Sequence, residues 1–82
     1  MKDNERKIFE TIPLVDGYEN EQSQINSKKL LQKVKELHNI EVRTSSALMV
    51  SLKRKRFITI EGGKNPNVML LERGIKHMRK AS

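Results

Sequence analysis

A glycine- and asparagine-rich run, GGKNPN at residues 62–67, constrains the fold more than any other feature of the sequence. Before it, residues 57–61 alternate apolar and polar side chains and are rich in β-forming types, which is typical of a strand. After it, residues 68–71 form a second short apolar stretch. Glycine and asparagine tolerate the positive φ that tight connections need. The sequence therefore predicts a β-hairpin near the C-terminus.

The N-terminal part of the chain predicts one helix followed by a loop. Residues 3–12 have the spacing of an amphipathic helix, and Pro13 predicts its end because the residue before a proline avoids the helical region. Residues 16–24 are polar and predict a loop, and residues 24–26 predict a very short strand. The apolar side chains that share one face of this helix are Ile8, Phe9 and Ile12.

Two further amphipathic helices are predicted at residues 28–37 and 44–55, joined by a short turn. Ser27 is expected to cap the first of them, because a short side-chain oxygen accepts the free amide hydrogens of a first turn. Asn39 is expected to stop it in the left-handed conformation. The side chains predicted to be buried are Leu30, Leu31, Val34 and Leu37, then Ile40 and Val42 in the turn, then Leu48, Met49 and Leu52.

A last helix is predicted at residues 72–80, with Ile75 and Met78 facing inward. The chain is then α+β and mostly helical: helix, short strand, helix, turn, helix, hairpin, helix. With 82 residues it has room for one domain only. Residues 1–26, the first helix and the polar loop, are expected to belong to the same domain as residues 27–82.

Charge is divided unevenly along the chain, whose net charge is +7. Residues 1–26 carry three basic and six acidic side chains, a net charge of −3. Residues 27–82 carry fourteen basic and four acidic side chains, a net charge of +10. Such an asymmetry favours a polyanionic partner for the C-terminal part.

Several classes of function are disfavoured. The chain has no cysteine, which excludes disulfides, thiolate zinc sites and cysteine nucleophiles. His38 and His77 have no acidic partner at ligand spacing, so no metal or other cofactor is expected. No histidine or carboxylate is placed to activate a serine, so we do not expect an enzyme. Without an apolar run of about 20 residues or a signal-like N-terminus, we expect a cytoplasmic protein that does not bind membranes.

A family resemblance lies in four stretches: INSKKLL at residues 25–31, TSSALMVSL at 44–52, LKRKRFI at 52–58 and VMLLERGIKHM at 68–78. In this order they resemble the winged helix-turn-helix domain in its MarR-like form. The resemblance implies a three-helix core, a two-stranded wing and a short C-terminal helix. Arg56 stands where that family often has glycine, and Leu71 where it often has threonine. The long dimerisation helices of the family are absent, so its ligand-sensing dimer is not expected.

The resemblance implies DNA binding, because the major groove, about 12 Å wide, admits one helix. The helix before it braces it against the backbone, and basic side chains meet the phosphates. The implied groove-facing residues are Arg43, Thr44, Ser46, Ala47, Val50, Ser51 and Arg54. Those implied to lie near phosphates are Lys53, Arg54, Lys55 and Arg56 at the helix end, Lys64, Asn65 and Asn67 at the wing tip, and Lys28 and Lys29 at the start of the second helix.

The groove-facing side of the third helix is poor in the long side chains that read bases. Asn, Gln and Arg make the usual paired contacts to bases, whereas serines, Ala47 and Val50 dominate here. A small transcriptional regulator is the leading hypothesis, binding double-stranded DNA. The second hypothesis is an accessory subunit for replication or recombination of a plasmid, phage or other mobile element. This subunit would bind double-stranded or single-stranded DNA and dock on a polymerase, primase or helicase. The third is a protein-interaction module, with the acidic N-terminal segment and Val50 at the contact. A protein partner or a homodimer is compatible with all three.

Overall fold

The helices and strands follow one another in the order that the sequence pattern predicts. The computed structural model describes residues 1–81 of the chain. Within that range it has four α-helices and one three-stranded antiparallel sheet. The elements are α1 (Asp3–Thr11), a short 3₁₀ turn (Ile12–Leu14), β1 (Ile25–Asn26), α2 (Ser27–His38), α3 (Val42–Arg54), β2 (Ile58–Glu61), β3 (Asn67–Leu70) and α4 (Glu72–Ala81).

The ends of α2 show one prediction corrected and one confirmed. The side chain of Asn26, not that of Ser27, caps the helix: Asn26 Oδ1 accepts a hydrogen bond from the Lys29 amide at 3.2 Å. Ser27 is instead the first helical residue and is buried. Asn39 ends the helix with φ 55° and ψ 35°, the left-handed conformation that was predicted. The connection to α3 is therefore only three residues long, from 39 to 41.

The hairpin joins a third strand that the predicted two-stranded wing did not include. β2 and β3 pair from Ile58 opposite Leu70 to Glu61 opposite Asn67. On its other edge β3 pairs with β1, with Ile25 opposite Val68. The Ser27 amide extends this contact by donating to the Pro66 carbonyl at 3.0 Å. The hairpin is thus tied by main-chain hydrogen bonds to the start of α2.

The core lies between the first three helices and the sheet. Two residues predicted to be buried are exposed instead: Leu37 is 49% exposed and Val42 is 48% exposed. Leu37 lies in the last turn of α2, and Val42 lies in the first turn of α3, which begins two residues earlier than predicted. Ile40, between them, does pack against the core. The buried apolar side chains are Ile8, Phe9, Ile12, Val15, Ile25, Leu30, Val34, Met49, Leu52, Phe57, Ile58, Val68 and Leu70.

α4 packs closely on the segment that joins α3 to β2. The Leu71 amide donates to the Phe57 carbonyl at 3.1 Å, and a Cβ on Gly74 would overlap that same carbonyl oxygen. The His77 ring then lies against two aromatic rings, with centroids 5.6 Å from Phe9 and 5.5 Å from Phe57. Only glycine at position 74 allows this approach.

Replacing Gly74 with alanine is expected to destabilise the domain by about 1–3 kcal/mol, as overpacking usually does. Gly63→Ala is the matched control, because a Cβ there meets nothing within 4 Å. Urea denaturation followed by circular dichroism measures both free energies of unfolding. Equal stability of the two variants would mean that α4 does not approach Phe57 in this way.

Candidate nucleic-acid interface

A stripe of four exposed side chains runs along α3. Arg43, Ala47, Val50 and Arg54 recur at intervals of four, three and four residues, which places them on one face of the helix. All four are exposed, and Val50 is 46% exposed. We call these four residues the α3 stripe. Thr44, Ser46 and Lys53 are also exposed.

The orientation of α3 follows from the residues on its other side. Ser45, Met49 and Leu52 are buried there, with exposed fractions of 0%, 3% and 0%. Burying a leucine or methionine side chain contributes roughly 1.5–3 kcal/mol to stability. This buried face therefore determines which side of α3 is directed toward the core. The stripe consequently faces solvent, as the sequence predicts.

Two of the predicted DNA contacts on α3 are held by the protein itself. Ser51 Oγ donates to Glu5 Oε2 at 2.6 Å, and Lys55 Nζ lies 2.9 Å from Glu5 Oε1 and 3.1 Å from Oε2. The backbone amide of Lys2 donates to the same carboxylate at 2.9 Å. Both side chains, which were predicted to contact DNA, are thus engaged by an internal carboxylate, while 39% of the Lys55 side chain remains exposed. We call this set, Glu5 with Ser51 and Lys55, the Glu5 clamp.

The Glu5 clamp stabilises a carboxylate that is fully buried. The Ser51 hydrogen bond, followed by the Lys55 hydrogen bond, lowers the pKa of Glu5 from 4.5 to about 2, while burial opposes this change. The clamp joins the first turn of α1 to the C-terminal end of α3 and its cap. Ser51 and Lys55 follow Glu5 by 46 and 50 residues in the sequence, so no local pattern could have indicated the clamp.

The end of α3 explains an unusual residue in the sequence. Arg56 has φ 65°, the left-handed region that favours glycine. Its amide donates to the Lys53 carbonyl at 3.0 Å, and the Phe57 amide donates to the Leu52 carbonyl at 3.1 Å, which closes the helix. Arg56 is exposed, as are Lys53 and Arg54. Three cations of the predicted phosphate-binding cluster therefore face solvent.

The remaining predicted contacts lie on the hairpin and at the start of α2. Lys64 and Asn65 are exposed in the connection between β2 and β3, whereas Asn67 is half-buried and paired in the sheet. Lys28 and Lys29 are exposed in the first turn of α2, where the positive end of the helix dipole also favours an anion. One exposed acidic residue, Glu61, lies at the end of β2. The α3 helix itself contains no acidic residue.

The described part of the chain has neither a metal-binding cluster nor a membrane-spanning helix. Between residues 1 and 81, no three histidine or acidic side chains are grouped so that they could hold a metal ion. None of the described helices combines the length and the apolar character needed to cross a membrane. Comparisons with protein-family models, curated protein sequences and solved structures found no match to this chain.

Glu5→Gln is expected to destabilise the domain by roughly 1–3 kcal/mol near neutral pH, because hydrogen bonds to a charged group are lost. The folded-state pKa of Glu5 lies below its unfolded value, so its contribution is present above about pH 4.5 and is lost as the pH falls toward 2. The stability difference between wild type and variant should shrink over that window. The measurement is thermal unfolding from pH 2 to pH 7.

Glu10→Gln serves as the control, since Glu10 is an exposed carboxylate on the same helix. It should change stability by less than about 0.5 kcal/mol, as most surface substitutions do. A Glu5→Gln variant that unfolds like Glu10→Gln at every pH would contradict the Glu5 clamp.

Proposed function

We propose that this chain is a non-enzymatic DNA-binding protein of the winged-helix type, in which α3 enters the major groove. The single observation that carries the proposal is the α3 stripe. It is solvent-exposed, has an arginine at each end, and belongs to a helix without a carboxylate. Its opposite face is anchored in the core, so the stripe is presented on a rigid support.

The dimensions of the stripe suit the groove. Arg43 and Arg54 are eleven residues apart, which corresponds to roughly 16 Å along a helix that rises 1.5 Å per residue. The major groove is about 12 Å wide, so the two arginines can reach the phosphates or guanines on either side of a helix lying in it. Ala47 and Val50, between them, offer methyl groups that can contact the thymine methyl.

The connection between α2 and α3 also supports the proposal. Its three residues match the turn of three or four residues that joins the two helices of a helix-turn-helix motif. In that arrangement the first helix crosses the DNA backbone. Lys28 and Lys29 would then meet phosphates at the start of α2, and the β2–β3 hairpin would serve as the wing, with Lys64 near its tip.

The role that we propose first is a small transcriptional regulator. One observation favours a second candidate, an accessory DNA-binding subunit in replication or recombination of a mobile element. The centre of the stripe consists of Ala47 and Val50, which discriminate few bases, and such a helix suits binding with little sequence preference. In the second role, specificity would come from a protein partner.

Replacing both Arg43 and Arg54 with alanine is expected to weaken binding to a short labelled duplex by about tenfold or more. If both arginines contact phosphates, the slope of log K against log salt should fall by about two, since each contact contributes roughly 0.9. Fluorescence anisotropy over a salt series measures both quantities. Lys2→Ala with Lys7→Ala is the matched control, because it removes the same charge from exposed positions of the N-terminal segment. Identical affinity of the two double variants would contradict the α3 interface.

Selection from random duplexes separates the two roles. A regulator should prefer its site over random DNA by about a thousandfold or more. An accessory subunit should bind all sequences with similar affinity and steep salt dependence. Wild-type protein that shows no salt-dependent DNA binding would contradict both roles and favour a protein-interaction module.

A further inference from the structure

A second cationic surface lies on α4 and includes none of the residues of the α3 stripe. A groove of about 260 Å³ is lined there by Phe57, Arg73, Lys76, His77 and Lys80. Four of these five side chains carry nitrogen donors or cations, and no carboxylate lines the groove. A groove with this lining selects for anionic ligands.

Arg73 is held in place at the edge of this groove. Its guanidinium lies 4.6 Å from the centre of the Phe57 ring, and Nη1 donates to the Lys55 carbonyl at 2.7 Å. A guanidinium carries five N–H donors in a fixed plane, so one internal hydrogen bond leaves others for a ligand. Because its orientation is already fixed, less side-chain entropy is lost when it binds a phosphate.

The lysines extend the same face of α4. Lys76 and Lys80 follow Arg73 at intervals of three and four residues, which places all three on one side of the helix. Lys76 Nζ lies 3.2 Å from Glu72 Oε1, but both side chains are largely exposed, at 70% and 83%. Exposed ion pairs of this kind contribute little, so a phosphate can compete with Glu72 for Lys76.

The other sides of α4 have structural roles. Ile75 and Met78 pack against the core, and the Tyr18 hydroxyl lies 3.5 Å from Met78 Sδ. Arg79 makes two hydrogen bonds to Glu21, at 2.8 and 2.7 Å, which hold the loop before β1 against the helix. These contacts account for the apolar face and for Arg79. They do not account for the row formed by Arg73, Lys76 and Lys80.

We propose that the α4 groove binds the phosphodiester backbone of DNA as a second site, separate from the α3 stripe. The identity of the polyanion rests on the proposed function, whereas the site uses none of the residues of the stripe. A phosphodiester fits because a planar guanidinium, held against the Phe57 ring, and two lysines supply hydrogen-bond donors and positive charge. The backbone belongs either to the duplex already held by α3, which would then wrap around the domain, or to a second duplex, which the domain would bridge.

The test is the double variant Lys76→Ala with Lys80→Ala, which leaves the structural contacts of Arg73 intact. Its thermal stability should match that of the Lys2→Ala, Lys7→Ala control, because both lysines are exposed. Two measurements follow: anisotropy on one labelled duplex over a salt series, and capture of a fluorescent duplex by protein bound to an immobilised duplex.

Either of two losses relative to the control supports the groove. If it binds the same duplex, the salt slope falls by about two and affinity falls about tenfold. If it binds a second duplex, affinity for one duplex stays within about twofold and capture of the second falls at least tenfold. A Lys76→Ala, Lys80→Ala variant that equals the control in both measurements overturns the proposal.

The variant Arg43→Ala, Arg54→Ala distinguishes failure of the α4 groove from failure of the proposed function. If Arg43→Ala, Arg54→Ala loses DNA binding while Lys76→Ala, Lys80→Ala behaves like the control, the α3 interface is supported and the α4 groove is rejected. If only Lys76→Ala, Lys80→Ala shows a loss, the α4 groove is supported and the α3 interface is rejected. If the wild-type protein does not bind DNA, both the α3 interface and the α4 groove are rejected.

Discussion

The Glu5 clamp, together with the buried face of α3, sets the orientation of that helix, on which the proposed interface depends. A buried carboxylate is costly unless its charge is paired and its oxygens accept hydrogen bonds. Here Ser51, Lys55 and the Lys2 amide supply them, at 2.6 to 3.1 Å. Ser51 follows Val50 by about 100° around the helix. If α3 rotated, the clamp would break, so the side that carries the α3 stripe is fixed toward solvent.

Other carboxylates of the chain also take part in internal pairs. Lys35 lies 2.7 Å from Glu41 across the turn between α2 and α3, and Arg79 pairs with Glu21. Because pairing occurs at these places, the excess positive charge is concentrated elsewhere. It lies on the α3 stripe, at the end of α3, near the hairpin tip and along the α4 groove. Of the cations in the α4 groove, Lys76 also has a carboxylate partner, the exposed Glu72.

The two cationic surfaces differ in their chemistry. The α3 stripe has arginines at its ends and small apolar side chains at its centre, which can contact thymine methyl groups but distinguish few other bases. The α4 groove has a fixed guanidinium and two lysines, which suits phosphates and ignores base identity. Under the proposed function, both surfaces would contact the DNA backbone, and the α3 stripe would add contacts inside the groove.

Local patterns were sufficient for the order of the elements. The 3.6-residue spacing predicted the helices, the alternation at residues 57–61 with the GGKNPN run predicted the hairpin, and Asn39 predicted the end of α2, because each of these depends on neighbours in sequence. The exposed face of α3 was also predictable, since its buried face is apolar at helical spacing.

Only the tertiary structure decided which polar and charged side chains remain exposed. Ser51 and Lys55 bind a carboxylate some fifty residues away, and β1 joins the hairpin across more than forty residues. The α4 groove exists because Gly74 lets a helix approach Phe57. A sequence determines which faces are apolar through local periodicity. Which distant charged side chains pair depends on the tertiary fold, and no local sequence pattern indicates it.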